Sequence, residues 1–289
     1  MAAFSDRWWT SPDGLKLHAR DYPGAEGSAR LPVICIHGLT RNAKDFEDVA
    51  PWIAASGRRV LAIDVRGRGG SARDPKPMNY HPLTYAGDVA ALFDQAGLSR
   101  AVFLGTSMGG LITMTLALTR PKLIAAAIIN DVGPQVSPVG LQRIASYTGK
   151  IPSVESWDDA AGYCRTMNQA VFPQFGPDDW AAFARRTFVE NDGKPVLDYD
   201  PDIAVPIRAA GAKALAPNLW PLFRKLARGR DLLLVRGATS DLLDAKIAEK
   251  MRKVAPAMGY VEVPGIGHAP MLTEAPARTA IGEFLDQVK

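Results

Sequence analysis

Residues 101–119 read AVFLGTSMGGLITMTLALT: a short apolar run, a glycine-rich turn and a second apolar stretch. Because residues 101–104 are all apolar, the first run is typical of a strand buried on both faces. The second stretch has the length of a helix and stops before Pro121. The turn between them fits the pattern G-x-S-x-G, with its serine at position 107. We therefore predict a strand, a sharp turn that exposes a serine, and a helix.

This serine is a candidate nucleophile. A turn of this kind holds the serine in a strained conformation, and Gly105 and Gly109 lack the Cβ atoms that would collide there. The helix that follows directs its positive N-terminal end toward developing negative charge. The alternative is that Ser107 only caps the helix. The position of the motif between a strand and a helix favours the nucleophile.

The alternation of apolar runs and helical spacing extends along the chain on both sides of this motif. After a pair of short strands around a turn at residues 12–14, buried strands are predicted at residues 31–36, 59–63, 101–104, 123–129, 232–235 and 260–263. This rhythm predicts an α/β fold with a mostly parallel central sheet and helices on both faces. Residues 133–227 lack such runs and are helical and loop-like in pattern. We expect a core of residues 1–132 and 228–289, with residues 133–227 as a helical cap inserted after the sixth core strand.

Two backbone N–H groups are candidates for an oxyanion hole. One belongs to Met108, directly after the serine, and the other to Leu39, in the sequence His37-Gly38-Leu39 that follows the strand at residues 31–36. Gly38 lets the chain turn sharply there. We expect the imidazole of His37 to brace this loop through hydrogen bonds.

A general base and an orienting acid should follow later strands, in the order serine, acid, histidine. Of the four histidines, only His268 directly follows the last predicted strand, in a loop with two glycines. Asp241 follows the strand at residues 232–235 and is the leading candidate for the acid. Asp131, at the end of the strand at residues 123–129, is the alternative, whereas Asp244 is expected at the surface or at a helix cap.

Composition excludes several other classes of function. The 34 basic and 30 acidic side chains are interspersed, so the net charge of +4 does not indicate a nucleic-acid-binding face. Two cysteines cannot form a disulfide framework, and His and Cys lack metal-ligand spacing, so we expect no metal and no cofactor. The N-terminal sequence lacks the pattern of a signal peptide, and no run is long enough to span a bilayer. We expect a soluble, cytoplasmic monomer or homodimer without a membrane partner.

Taken together, the motifs resemble those of the α/β-hydrolase superfamily. The resemblance rests on His37-Gly38, the segment DVRGRGGS at residues 64–71, the motif around Ser107, and Asp241 and His268. It covers the whole predicted core and implies a helical cap over the site. The chain is most similar to cap-bearing esterases, enol-lactonases and carbon–carbon bond hydrolases, and its serine argues against the branches that use an aspartate nucleophile. The loop from Gly237 to Asp241 is one residue longer than the common form, which keeps Asp131 open as the acid.

The expected activity is hydrolysis of a small carboxylic ester or lactone through an acyl-enzyme on Ser107. A carbon–carbon bond hydrolase or an acyltransferase would use the same three residues, and a ligand receptor on this scaffold is the non-enzyme alternative. Either Arg143 or Arg165 is a candidate anchor for a substrate carboxylate, although arginines in such positions are more often surface charges.

Overall fold

The structure, a computed structural model, describes residues 4–210 and 218–288. Strands within these residues are, in chain order, β1 (Ser5–Thr10), β2 (Lys16–Tyr22), β3 (Val33–Ile36), β4 (Val60–Asp64), β5 (Ala101–Thr106), β6 (Ile124–Asn130), β7 (Phe188–Asn191), β8 (Lys194–Leu197), β9 (Asp231–Gly237) and β10 (Gly259–Val263). All strands except β7 and β8 form one sheet in the order β1-β2-β4-β3-β5-β6-β9-β10. The first two strands are antiparallel to their neighbours, and the other six run parallel.

Helices cover both faces of this sheet. They are α1 (Val49–Ala55), α2 (Pro82–Ala96), α3 (Met108–Thr119), α4 (Pro138–Tyr147), α5 (Trp157–Asn168), α6 (Pro177–Thr187), α7 (Val205–Ala210), α8 (Trp220–Ala227), α9 (Ala245–Val254) and α10 (Ala275–Gln287). Helices α2, α3, α8 and α9 pack on one face, and α1 and α10 pack on the other. The predicted α/β architecture and its mostly parallel sheet are confirmed.

The inner strands are largely apolar because both of their faces are covered. In β3, Ile34 and Ile36 face the first helix layer, whereas Val33 and Cys35 face the second. All four side chains are fully buried. Side chains that alternate across a strand therefore enter two separate cores, which explains why the sequence shows a continuous apolar run instead of an alternating pattern.

The chain between β6 and β9, residues 131–230, is called the connecting segment below. It contains α4 to α8, and also a hairpin of β7 and β8 that the prediction of a helical insertion missed. Helix α8 lies within the range predicted as a cap, yet its Phe223 and Leu226 belong to the core layer that contains α3. The division of the chain into a core and a cap stays a prediction.

The loop at residues 64–71 joins the connecting segment to the sheet. The N–H of Gly69 donates to the carbonyl of Asp198, and the carbonyl of Gly67 accepts from the N–H of Asp200. Within the same loop, the buried Arg66 makes paired hydrogen bonds to the carboxylate of Asp88. This segment therefore supports the contact between the connecting segment and the sheet.

His37 joins the loops that follow β3 and β4. Its Nε2 accepts a hydrogen bond from the N–H of Val65 at 3.1 Å, so the proton lies on Nδ1, which donates to the carbonyl of Gly38 at 2.7 Å. The imidazole is fully buried, and this burial lowers its pKa from 6.5 to about 4. His37 is thus a neutral brace between two loops.

A substitution at Gly109 would test how closely the first turn of α3 packs on β3. A Cβ atom at this position would lie 2.1 Å from the carbonyl oxygen of Ile36, which is closer than atoms can approach. We predict that Gly109→Ala lowers the free energy of unfolding by more than about 3 kcal/mol, measured by urea denaturation. Gly162→Ala is the control, because a Cβ there meets no atom within 4 Å. The control should be neutral or gain up to about 1 kcal/mol from helix propensity. Equal stability of the two variants would contradict the close contact.

His37 should make stability depend on pH. As pH falls from 6.5 toward 4, the unfolded chain binds a proton at position 37 that the folded chain refuses, so folding is weakened. By pH 4.5 this effect amounts to about 2 to 3 kcal/mol. We predict that His37→Gln is less stable than wild type at pH 7 but loses less stability between pH 7 and 4.5, as measured by urea unfolding at both values. Parallel losses in the two proteins would show that His37 does not titrate in this way.

Candidate active site

Ser107 lies at the junction of β5 and α3. Its backbone has φ 52° and ψ −112°, a left-handed value of φ that a non-glycine residue rarely adopts. Its N–H donates to the carbonyl of Asn130 at 2.9 Å, which fixes the turn against the end of β6. A Cβ on Gly105 would lie 2.5 Å from the backbone of Gly109, so the turn closes only with glycine there. The motif therefore folds into the strained turn that the sequence predicts.

His268 lies in the loop after β10 and contacts the serine. Its Nε2 and the Oγ of Ser107 are 2.9 Å apart. Its Nδ1 lies 2.9 Å from Oδ2 of Asp131. Since an ionised carboxylate only accepts, Nδ1 carries a proton and donates it, and Nε2 is left to accept from the serine hydroxyl. This is the geometry in which a histidine can take the proton of a serine.

Asp131 directly follows β6 and is fully buried. While Oδ2 faces His268, Oδ1 accepts a hydrogen bond from the N–H of Gly237 at 3.0 Å. Its backbone also adopts a positive φ, 56°, which turns the side chain out of the strand direction. Both carboxylate oxygens are thus held, so the carboxylate fixes the orientation of the imidazole.

The structure corrects the prediction that Asp241 is the partner of His268. Asp241 instead pairs with Arg143 of α4, its Oδ2 accepting from Nε at 2.5 Å and its Oδ1 from Nη2 at 2.8 Å. Hydrogen bonding to Arg143 holds the pKa of Asp241 below its usual range. The physical reason lies in the sheet order. Strand β6 lies next to β5, which carries the serine, whereas β9 lies one strand further away.

The loop after β3 approaches the serine at Gly38. A Cβ built there would lie 3.8 Å from the Cβ of Ser107. The carbonyl of Gly38 and the N–H of Leu39 belong to one planar trans peptide, and His37 holds the carbonyl, so the N–H points away from the imidazole. Among the hydrogen bonds of residues 4–210 and 218–288, none has the N–H of Leu39 or of Met108 as its donor. Both N–H groups predicted for the oxyanion hole are therefore without a protein acceptor within these ranges.

Asn130 connects the three parts of this arrangement, a feature that the sequence analysis missed. Its carbonyl accepts from Ser107, and its buried side-chain Nδ2 donates to the carbonyl of Pro270 at 2.8 Å and to Oγ1 of Thr106 at 3.1 Å. Asn130 also precedes Asp131 in the chain. The end of β6 therefore contacts the serine turn, the acid and the histidine loop together. The only sequence signal was a polar side chain at the end of a buried strand.

A cavity of about 130 Å³ lies over Ser107 and His268. Its walls include side chains of the connecting segment that are mostly aromatic or apolar: Ile144, Tyr147, Tyr163, Met167, Phe172 and Tyr199. Arg143 also lines it, whereas Arg165 lies exposed on α5 and does not. The serine hydroxyl thus opens into a small, largely apolar space with few charged groups.

Two further observations concern metal binding and membrane-spanning helices. In the described ranges, no three His, Cys, Asp or Glu side chains are grouped so as to hold a metal ion. No described helix combines the length and apolar character needed to cross a bilayer.

Comparison with known proteins places this geometry in a family. A family model described as the alpha/beta hydrolase fold matches residues 32–275. A 3-hydroxybutyrate-oligomer hydrolase of Cupriavidus necator is 33% identical over 278 residues, which cover 94% of this chain and 93% of that protein. A 2-(acetamidomethylene)succinate hydrolase of Mesorhizobium japonicum is 27% identical over 84% of this chain and 83% of its own. A crystal structure of an alpha/beta hydrolase from Novosphingobium aromaticivorans has 46% identity and a TM-score of 0.92, with both chains covered fully. The chain therefore belongs to the alpha/beta hydrolase fold family and to its hydrolases.

Proposed function

We propose that this protein is a serine hydrolase that cleaves a small carboxylic ester or lactone through an acyl-enzyme on Ser107. The observation that carries the proposal is the continuous hydrogen-bonded chain from Ser107 through His268 to Asp131, with two contacts of 2.9 Å each. A serine hydroxyl is a weak nucleophile until a base of this kind removes its proton.

The first half of the reaction forms the acyl-enzyme. Nε2 of His268 takes the hydroxyl proton of Ser107 while Oγ attacks the substrate carbonyl carbon. The N–H groups of Leu39 and Met108 hold the resulting oxyanion, and the N-terminus of α3 adds favourable electrostatic potential. His268 then protonates the leaving alkoxide as its bond to the carbonyl carbon breaks. Asp131 stabilises the imidazolium throughout.

The second half releases the acid. His268 takes a proton from a water molecule, the hydroxide attacks the acyl carbonyl, and the tetrahedral intermediate forms again at the same oxyanion site. Its collapse breaks the bond to Oγ, and the proton returns from His268 to Ser107. The enzyme is regenerated without any redox change.

Two features favour a short acyl or alcohol group. The cavity of about 130 Å³ is small, so it favours short chains beside the reacting carbonyl. The relative covered over 93% of its length is named for hydrolysis of 3-hydroxybutyrate oligomers, in which short hydroxyacyl units are linked by esters. We propose short hydroxyacyl esters as the substrate class, with the part of the connecting segment that lines the cavity serving as the cap that selects them.

The reaction is tested with p-nitrophenyl esters from acetate to laurate. We predict that Ser107→Ala, His268→Ala and Asp131→Asn each lower kcat/KM by roughly 10³-fold or more, since each breaks the hydrogen-bonded chain. Asp241→Asn is the matched control, because it changes the other candidate acid in the same way, and its kcat/KM should fall less than tenfold. Thermal unfolding of each variant checks that the protein is folded.

Several outcomes would count against this proposal. A larger loss of kcat/KM in Asp241→Asn than in Asp131→Asn would identify Asp241 as the acid. Turnover that survives Ser107→Ala would exclude the acyl-enzyme. Folded wild-type protein that cleaves none of the esters, but transfers acyl groups to other acceptors or cleaves carbon–carbon bonds, would replace ester hydrolysis with one of those activities.

A further inference from the structure

Two arginines, Arg41 and Arg143, line the cavity over Ser107. The guanidinium of Arg41 is fully engaged by its neighbours: Nε and Nη2 donate to the carboxylate of Asp45, and Nη1 donates to Oγ1 of Thr187. It also lies over the ring of Phe183, 4.2 Å from the centroid. Arg41 therefore stabilises the structure around the cavity, and few of its N–H groups are left to bind a ligand.

The guanidinium of Arg143 donates hydrogen bonds to Asp241 and lies close to the hydroxyl of Tyr147. A guanidinium offers two forks of parallel donors, one made by Nε with a terminal nitrogen and one made by the two terminal nitrogens. Asp241 occupies the first fork through Nε and Nη2. Nη1 belongs to the second fork, which Asp241 does not use. The side chain is 28% exposed, so a ligand can reach it.

The position of Asp241 adds to this asymmetry. Arg143 is among the residues that line the cavity described above, and Asp241 is not. The carboxylate thus fixes the guanidinium from outside the cavity wall. Fixing it there reduces the conformational entropy that a long side chain would lose on binding a ligand.

Tyr147 lies one helical turn further along α4 and lines the same cavity. Burial raises the pKa of its hydroxyl, so the group stays protonated at neutral pH and can donate a hydrogen bond. A guanidinium fork and a phenol hydroxyl on one helix face are donors that suit the two oxygens of a carboxylate.

We propose that Arg143 and Tyr147 form a subsite for the carboxylate of an anionic ester, and that Asp241 is the residue that positions Arg143. This inference rests on the proposed ester hydrolysis and defines its substrate class. A carboxylate bound there would lie in the same cavity as the ester carbonyl held at Ser107. The enzyme would then select esters that carry a free carboxylate on either the acyl or the alcohol part.

The test measures binding, which does not depend on turnover. Calorimetry is carried out on Ser107→Ala with two pairs of esters that differ only in a carboxylate replaced by a methyl group. Monomethyl glutarate is compared with methyl pentanoate for the acyl side, and 3-acetoxybutyrate with sec-butyl acetate for the alcohol side. We expect the anionic member of at least one pair to bind at least tenfold more tightly, and that pair identifies the side.

Variants in the same background assign the preference to the subsite. Arg143→Met should reduce the ratio of anionic to neutral affinity at least tenfold, since it keeps an unbranched apolar stem and removes the charged guanidinium. Asp241→Asn and Tyr147→Phe should reduce this ratio by smaller factors. Arg165→Met is the control, because it removes the same charge from an exposed position on α5, and the ratio should not change.

Equal binding of both members in both pairs, or no binding by any of the esters, would overturn the subsite. So would an anionic preference that survives Arg143→Met, or one that Arg165→Met reduces equally. Failure of the catalytic proposal has a different signature: wild type would not turn over the esters although Ser107→Ala still prefers the anionic ones.

Discussion

The contact between the first turn of α3 and the carbonyl of Ile36 in β3 is the constraint on which the site depends. Only glycine at position 109 lets the helix backbone come so close, and a second glycine at 105 lets the turn close on itself. The helix begins directly after β5 as a result, and Ser107 is left with a positive φ at the sheet edge. The loop after β3 ends next to the same turn. One close contact between a helix and a strand thus determines where the serine hydroxyl and the two neighbouring backbone N–H groups lie.

The order of the strands then decides which carboxylate reaches the histidine. Because β6 lies beside β5, a residue that follows β6 lies beside the serine turn, and Asp131 occupies that position. Asp241 follows β9, a strand further from Ser107, and its charge is matched by an arginine of the connecting segment. The fold thus gives the two candidate acids different partners. One is buried against an imidazole, and the other is half-exposed against a guanidinium.

Much of this could be predicted from sequence, and the limits are physical. The inner strands of the main sheet were predicted because strands covered on both faces require apolar runs, as in Val33–Ile36. Strands β1 and β2 were predicted instead from the turn between them. The β7–β8 hairpin was missed because its strands are largely exposed and carry polar residues such as Glu190 and Lys194. The choice between Asp131 and Asp241 failed because both follow a strand and both lie between Ser107 and His268 in the chain. Their distances from the serine depend on the sheet order, which the linear spacing does not contain.

Asn130 has a mechanical consequence. Its carbonyl holds the serine turn, its side chain holds the histidine loop, and its own peptide bond leads to the acid. Asn130 therefore connects three candidate catalytic residues that are far apart in the chain. Thermal breathing that displaces β6 as a unit carries all three in the same direction, so their separations vary less than their positions. We therefore expect the distances among these three groups to be kept when the sheet deforms slowly as a whole.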